Sequence, residues 1–328
     1  MNKSRLLILT LFLFYVSATV TAQERARFRS GIFLHHSTGG CIWGPNGGST
    51  SIPQEITSFN LSHGYTDSNA VSMQELGWPV NPWNNEWERW HRIFDDKDTV
   101  DADIRPFYNS NPIIVIKSCF PSSSMSGWGS ASDTLDPTSK TVYNYKWHWR
   151  HIISVMRDHP NNYFAIWTNA PLVANATNDS EASLSDKFCR WAKDTLETGN
   201  DLLFGTFPPN VFVFDYFHKL ADLSGKLPTA YAASSSDSHP NSAATELVAP
   251  LFVQEIFNSA IGYEPETVIA PPALLYPPDK SVNLPDSIQF IWENKSGAIY
   301  YHLQLSLDSL FSMIEYNDSL LTDTSVRI

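Results

Sequence analysis

"SGIFLHHSTGGCIW", residues 30–43, decides how this chain is read. Ile32–Leu34 is an apolar run of strand length, and Gly39 and Gly40 follow it as a sharp turn. Two histidines and a serine therefore stand at the carboxyl end of a buried strand, where open α/β sheets keep their ligand crevice. Ser37 is the most reactive group there, but a serine hydroxyl is a weak nucleophile until a base takes its proton. His35 and His36 are neighbours on a strand and face opposite sides, so they cannot both serve Ser37, nor share a metal. The partner must come from elsewhere.

Working outward, "NPIIVIKSCFPSS" (111–123, core Ile113–Ile116), "NYFAIWTNAP" (162–171) and "NVFVFDYFHKLAD" (210–222) read as further strands, the last running into a short helix. Helices are expected over "IPQEITSFNLSH" (52–63), stopped by Gly64, and over "TVYNYKWHWRHIISVMRDHP", ending before Pro160. "SLSDKFCRWAKDTLETG" reads as a helix started by Ser183 or Ser185 and stopped by Gly199, and "HPNSAATELVAPLFVQEIFNSAIG" as a long closing helix. Strands alternating with helices predict the α/β class, a mostly parallel sheet covered on both faces. "GWPVNPWNNEWERWHRIFDD" (77–96) has no clean periodicity.

The ends read differently. Residues 1–22 have a basic start, an apolar run Leu6–Val16 and small residues near Ala22, the pattern of a secretory signal peptide. That run is short for a membrane span, so an exported protein with no membrane span is expected, secreted, periplasmic or at the cell surface. Cleavage removes Lys3 and Arg5 and no acid, making the net charge of −12 more negative by two. Such acidity disfavours nucleic acid and anionic membrane as partners. Three cysteines are too few for a disulfide scaffold; Cys41 and Cys119 follow strands that end on one face, which permits a bond between them in an oxidising compartment. The layout is thus a leader over 1–22, a large domain over 23–262, a proline-rich linker over 263–273 and a smaller β segment over 274–328. In that segment, a strand with Trp292 followed by one with Tyr300 and Tyr301 resembles the first half of a fibronectin type III-like β-sandwich. The typical last strands are missing, which reads as a fragment.

A base for Ser37 is offered by "SSSDSHPNSAATELVAPL", where His239 precedes the closing helix and Asp237 precedes His239. A carboxylate can orient an imidazole and stabilise its cation during proton transfer; alternatively Asp237 is a turn or cap residue. With "HHSTGG" at one end of an α/β chain and "SDSHPN" at the other, residues 28–260 resemble the SGNH/GDSL hydrolase family. The resemblance implies a flavodoxin-like three-layer α/β/α sandwich acting on carboxylic esters, with Ser37 as nucleophile, His239 as general base, Asp237 as orienting acid and no cofactor. Two features depart from the family pattern. The acid precedes His239 by two positions rather than three, so Asp237, Ser236 or a backbone carbonyl could orient it. "IVIKSCFPSSS" stands where the family has Gly-x-Asn-Asp, so the oxyanion donors carried over are the Ser37 N–H, Gly77 in "ELGWP" and Ser118.

Substrate contacts are assigned to His36, Lys117, Trp83 and Trp87. Trp78, Trp83, Trp87 and Trp90, interleaved with Asn, Glu and Arg, suit stacking on sugar rings, although packing over the sheet edge uses the same residues. The expected substrate is a small-molecule or polysaccharide ester. Two alternatives are a lipase or thioesterase with the same triad, and a non-catalytic glycan-binding protein on a degenerate hydrolase scaffold. His148, His151 and His159 show no ligand pattern, and no phosphate loop, zinc spacing or calcium loop is present, so no metal is expected.

Overall fold

The computed structural model describes residues 13–20, 27–80, 86–97, 102–264, 272–279, 281–282, 284–285, 287–295, 298–306, 308 and 311–328. The chain forms two compact units, one of residues 1–26 with 265–328, the other Arg27–Glu264.

In the first unit, strand β1 (Leu13–Val20) lies inside the segment read as a leader.

The larger unit holds five strands: β2 (Ser30–His35), β3 (Ser72–Gly77), β4 (Ile113–Ile116), β5 (Tyr163–Trp167) and β6 (Val211–Phe214). They form one sheet in the order β3-β2-β4-β5-β6, every neighbouring pair parallel. Its described helices are α1 (Thr38–Trp43), α2 (Ile52–His63), α3 (Glu86–Phe94), α4 (Arg105–Ser110), α5 (Val142–Arg157), α6 (Asp179–Arg190), α7 (Tyr216–Leu220) and α8 (Ser242–Gly262).

Alternation along the strands sorts side chains into two cores. Ile32, Leu34, Ile114, Ile116, Phe164 and Ile166 pack with α3, α5 and α6 on one face. Phe33, Ile113, Val115, Tyr163, Ala165 and Trp167 pack with α2 and α8 on the other. Strands β2, β4, β5 and β6 are buried on both faces, which is why they read as continuous apolar runs. The result is three layers, helix–sheet–helix. At its base Glu264 accepts from Phe28 N and pairs with Arg29 at 2.9 Å, joining the first and last residues of the unit.

The expected boundaries of α2 and its Gly64 stop are found, with Gly64 at φ 64°. Three expectations need correction. Helix α6 begins at Asp179, not near Ser183, because Asn178 accepts from Glu181 N as its cap; it continues into a π-helical turn over Trp191–Leu196. Strand β3 was not legible, since "SMQELG" is a mostly exposed edge strand with no apolar run. The segment without periodicity contains α3, whose Trp87 and Trp90 are buried.

In the first unit, β7 (Leu274–Tyr276), β8 (Gln289–Trp292), β9 (Ala298–Ser306), β10 (Ile314–Leu321) and β11 (Ser325–Arg327) join β1 in two antiparallel sheets, β1-β9-β10 and β11-β8-β7. Phe290, Trp292, Tyr301, Leu303 and Leu305 form their shared core. Consecutive β8 and β9 thus belong to different sheets.

Candidate active site

Ser37 lies two residues past the end of β2, directly after His36, and its backbone sits at φ 46°, ψ −103°. That region is sparsely populated for a residue with a Cβ, and such conformations persist only where surrounding contacts enforce them. Those contacts are visible. The His36 carbonyl, one peptide before Ser37, accepts from Gly39 N at 2.9 Å, Lys117 Nζ at 3.2 Å and Cys119 Sγ at 3.3 Å. Gly39 is required because a Cβ there would lie 2.5 Å from His35 Cβ.

His239 is delivered by the loop before α8. Asn241 caps that helix through Ala244 N and ties back to the Ala230 and Ala232 carbonyls. Ser238 is buried and accepts from Val173 N at 3.0 Å. Thr245 Oγ1 donates to the Cys41 carbonyl at 2.9 Å, fastening α8 to α1. With both ends fixed, the Ser37 hydroxyl meets His239 Nε2 in a hydrogen bond. His239 Nδ1 lies 2.6 Å from Asp237 Oδ1, which also accepts from His239 N at 3.0 Å. The spacing of two residues lets one carboxylate oxygen hold both the backbone and the ring of His239. Those two hydrogen bonds, the backbone one first, keep Asp237 ionised below the usual carboxylate range. Nδ1 therefore donates to Asp237, and Nε2 is left to accept from Ser37. Of the alternatives for orienting the ring, it is Asp237 and not Ser236 that makes the contact.

Around the triad, Gly77 pairs in register with His35 on the adjacent edge strand, at the same end of the sheet as Ser37. Ser118 is buried, and its hydroxyl has no hydrogen-bond partner among the described residues. Lys117, read as facing substrate, is 3% exposed. Its ammonium donates to the His36 carbonyl and to Cys119 Sγ at 3.1 Å, with no carboxylate partner among the described residues. His36 is half-buried with Nε2 engaged by the Pro79 carbonyl. Burial first, then the charges of Lys117 and Arg89, give it a pKa below the ordinary imidazole value, against the opposing pull of the Pro79 carbonyl.

The tryptophan cluster is corrected. Trp87 is fully buried, donates Nε1 to Asn169 Oδ1 at 2.9 Å and meets Trp149 edge-on at 5.0 Å. Trp78 and Trp90 are also buried, and Trp83 lies outside the described residues. Among the described residues this stretch offers core, not a sugar platform. None of Cys41, Cys119 and Cys189 is in a disulfide; the Cys41–Cys119 bond is not formed.

A cleft of about 410 Å³ opens beside the triad, lined by Phe120, Pro121, Leu172, Ala176, Asp237 and His239. Phe120 presents its ring to His239 at 4.6 Å, walling one side of the base. A larger cleft of about 770 Å³ shares no triad residue; there Lys219 pairs with Glu255 at 2.6 Å and His218 with Asp215 at 2.7 Å. These charged groups are thus mutually satisfied, and the serine that lines it, Ser259, is engaged by the Tyr163 hydroxyl.

Neither a scan against protein-family models nor a search of the curated proteins finds a match for this chain.

Proposed function

We propose that this protein is a serine hydrolase of the SGNH/GDSL type that cleaves carboxylic esters, acyl groups on carbohydrate being the favoured substrate. The observation that carries the reading is the hydrogen-bonded chain Ser37–His239–Asp237 at the carboxyl edge of the sheet. In support, the sheet order, counted within the larger unit as 2-1-3-4-5, is the one expected of a flavodoxin-like fold, where the crevice lies at the first strand.

In the proposed reaction Ser37 Oγ attacks the acyl carbonyl while His239 Nε2 takes the hydroxyl proton. Asp237 stabilises the resulting imidazolium. The tetrahedral oxyanion accepts from Ser37 N–H, with Gly77 and Ser118 at the same sheet edge and the buried Lys117 ammonium supplying positive potential. Collapse expels the alcohol, which leaves with the proton from His239. A water activated by the same imidazole then releases the acid and restores Ser37. The cleft bounded by Phe120, Leu172 and Ala176 takes the acyl group, and a lipase or thioesterase specificity would need it to accept long chains.

Export rests on residues 1–22 and belongs to the same proposal; removal after Ala22 would take β1 away from β9. The glycan-binding alternative loses support, since Trp78, Trp87 and Trp90 are packed inside. The test is hydrolysis of an aryl acetate by the protein beside Ser37→Ala and His239→Ala. Turnover lost in both variants, with folding intact, supports the reading; equal inertness of all three proteins on short and long esters overturns it.

A further inference from the structure

We infer that His91, Asp95 and His151 form a binding site for a divalent transition-metal ion, Zn²⁺ being the best match, between α3 and α5. The argument begins at His148, which is fully buried and has no carboxylate partner among the described residues. Burial without a counter-charge keeps an imidazole neutral. His148 Nε2 lies 2.8 Å from the Pro137 carbonyl, which can only accept, so Nε2 carries the proton and Nδ1 is an acceptor. His91 Nδ1, 3.0 Å from His148 Nδ1, must then be the donor. That fixes the lone pair of a neutral His91 on Nε2.

The lone pair faces a carboxylate, with His91 Nε2 3.9 Å from Asp95 Oδ2. Two electron-rich atoms opposed in this way call for a cation between them. His151 repeats the pattern from the other helix. Its Nε2 is 2.5 Å from Asp95 Oδ1, so the second imidazole meets the same carboxylate. The His91 and His151 rings stack 3.9 Å apart and 6° from parallel, so both imidazoles present the same edge to the carboxylate. All three ligand atoms lie within 4.8 Å of one another. A tetrahedral zinc with bonds of about 2.0–2.1 Å spaces its ligand atoms roughly 3.3 Å apart, between the 2.5 and 3.9 Å that separate Asp95 from His151 and His91.

The surroundings are those of a metal site rather than of a simple ion pair. The link from His91 through His148 to Pro137 fixes the His91 ring as outer-shell partners do. Two neutral imidazoles and one carboxylate suit zinc and its borderline neighbours better than calcium or magnesium. Trp147 packs on His91 at 4.6 Å and covers one side. Lys97 holds Asp95 Oδ2 at 2.7 Å and is the group an incoming ion would displace; its side chain is exposed and free to leave. Asp95 and His151 are partly exposed, which leaves a fourth position for water. Because α3 also carries Trp90, whose Nε1 donates to the Lys117 carbonyl at 3.1 Å, the ion would brace the helix behind the Ser37 edge. Spacing alone could not show this site, since His151 comes from a separate helix.

The experiment uses the untagged full chain, stripped with chelator and titrated with Zn²⁺ by calorimetry and with Co²⁺ by visible absorption. One Zn²⁺ per chain is expected, with a raised thermal midpoint and Co²⁺ bands of a four- or five-coordinate nitrogen-containing site. Asp95→Asn and His151→Gln are each expected to weaken binding about tenfold or more, while His159→Gln leaves it unchanged. Absence of saturable binding, an octahedral water-like Co²⁺ spectrum, or wild-type affinity in both folded variants overturns the inference. The Co²⁺ spectrum is read on the wild-type chain, so the test does not depend on variant folding.

Discussion

Ser37 and His239, 202 residues apart in the chain, are hydrogen-bond partners at the carboxyl edge of the sheet. The pairing is assembled from both sides. On one, Lys117, Cys119 and Gly39 hold the carbonyl before Ser37; on the other, the α8 cap and the Thr245 tie to Cys41 fix the loop bearing His239. The strained backbone of Ser37 at φ 46° is what this double constraint maintains.

Replacing either partner should abolish turnover. Ser37→Ala and His239→Ala are expected to leave ester hydrolysis at background, whereas Asp237→Asn should lower kcat by about a hundredfold or more, because the ring loses its preferred tautomer. Asp237, held below the usual carboxylate range, should stay ionised and add no acidic limb to the activity near neutrality. Steady-state rates across pH check this.

Lys117→Met removes the buried ammonium while keeping the length of the stem. The expected result is a fall in kcat of roughly a hundredfold with KM little changed, as for loss of an oxyanion donor. Burst kinetics on an aryl ester distinguish this from loss of substrate binding, since the binding step should stay intact.

Acyl preference should respond to the cleft. Ala176→Trp is expected to lower kcat/KM for a long-chain ester about tenfold while sparing the acetate. A parallel loss on both substrates would place the acyl group elsewhere.

Stability should decline in acid through His35. Burial first, then the charges of Lys117 and His36, push its pKa from 6.5 down to about 3, so the folded protein keeps it neutral. The unfolded chain takes up that proton as pH falls through 6.5, and the contribution of His35 is present above that value and lost progressively toward about 3. The slope is about 1.4 kcal/mol per pH unit for one proton. Urea midpoints of wild type and His35→Gln between pH 7 and 4 should differ by this slope (about one proton).

Trp87 provides a structural control. Trp87→Ala should cost about 3–5 kcal/mol, as for a large core truncation. Trp87→Phe should cost less, mainly through the unpaired Asn169 oxygen, roughly 1–3 kcal/mol. Chemical denaturation measures both, and polysaccharide binding should not change with either.

By itself the sequence determined the strands that are buried on both faces, because such strands must be continuous apolar runs, and Ile113–Ile116 can be read in no other way. It likewise marked the helix that Gly64 ends, and it singled out Ser37, Asp237 and His239 through the company they keep. It missed β3, because an edge strand facing solvent carries no hydrophobic signature. It left the tryptophans open between stacking and packing, because burial is a property of what covers a residue, and α5 does the covering. Only the tertiary structure decided that Asp237 orients His239, that Lys117 points inward beneath Ser37, and that His91, Asp95 and His151 converge. Each of these is a meeting of side chains from elements far apart in sequence, and distance in space is fixed by packing rather than by local pattern.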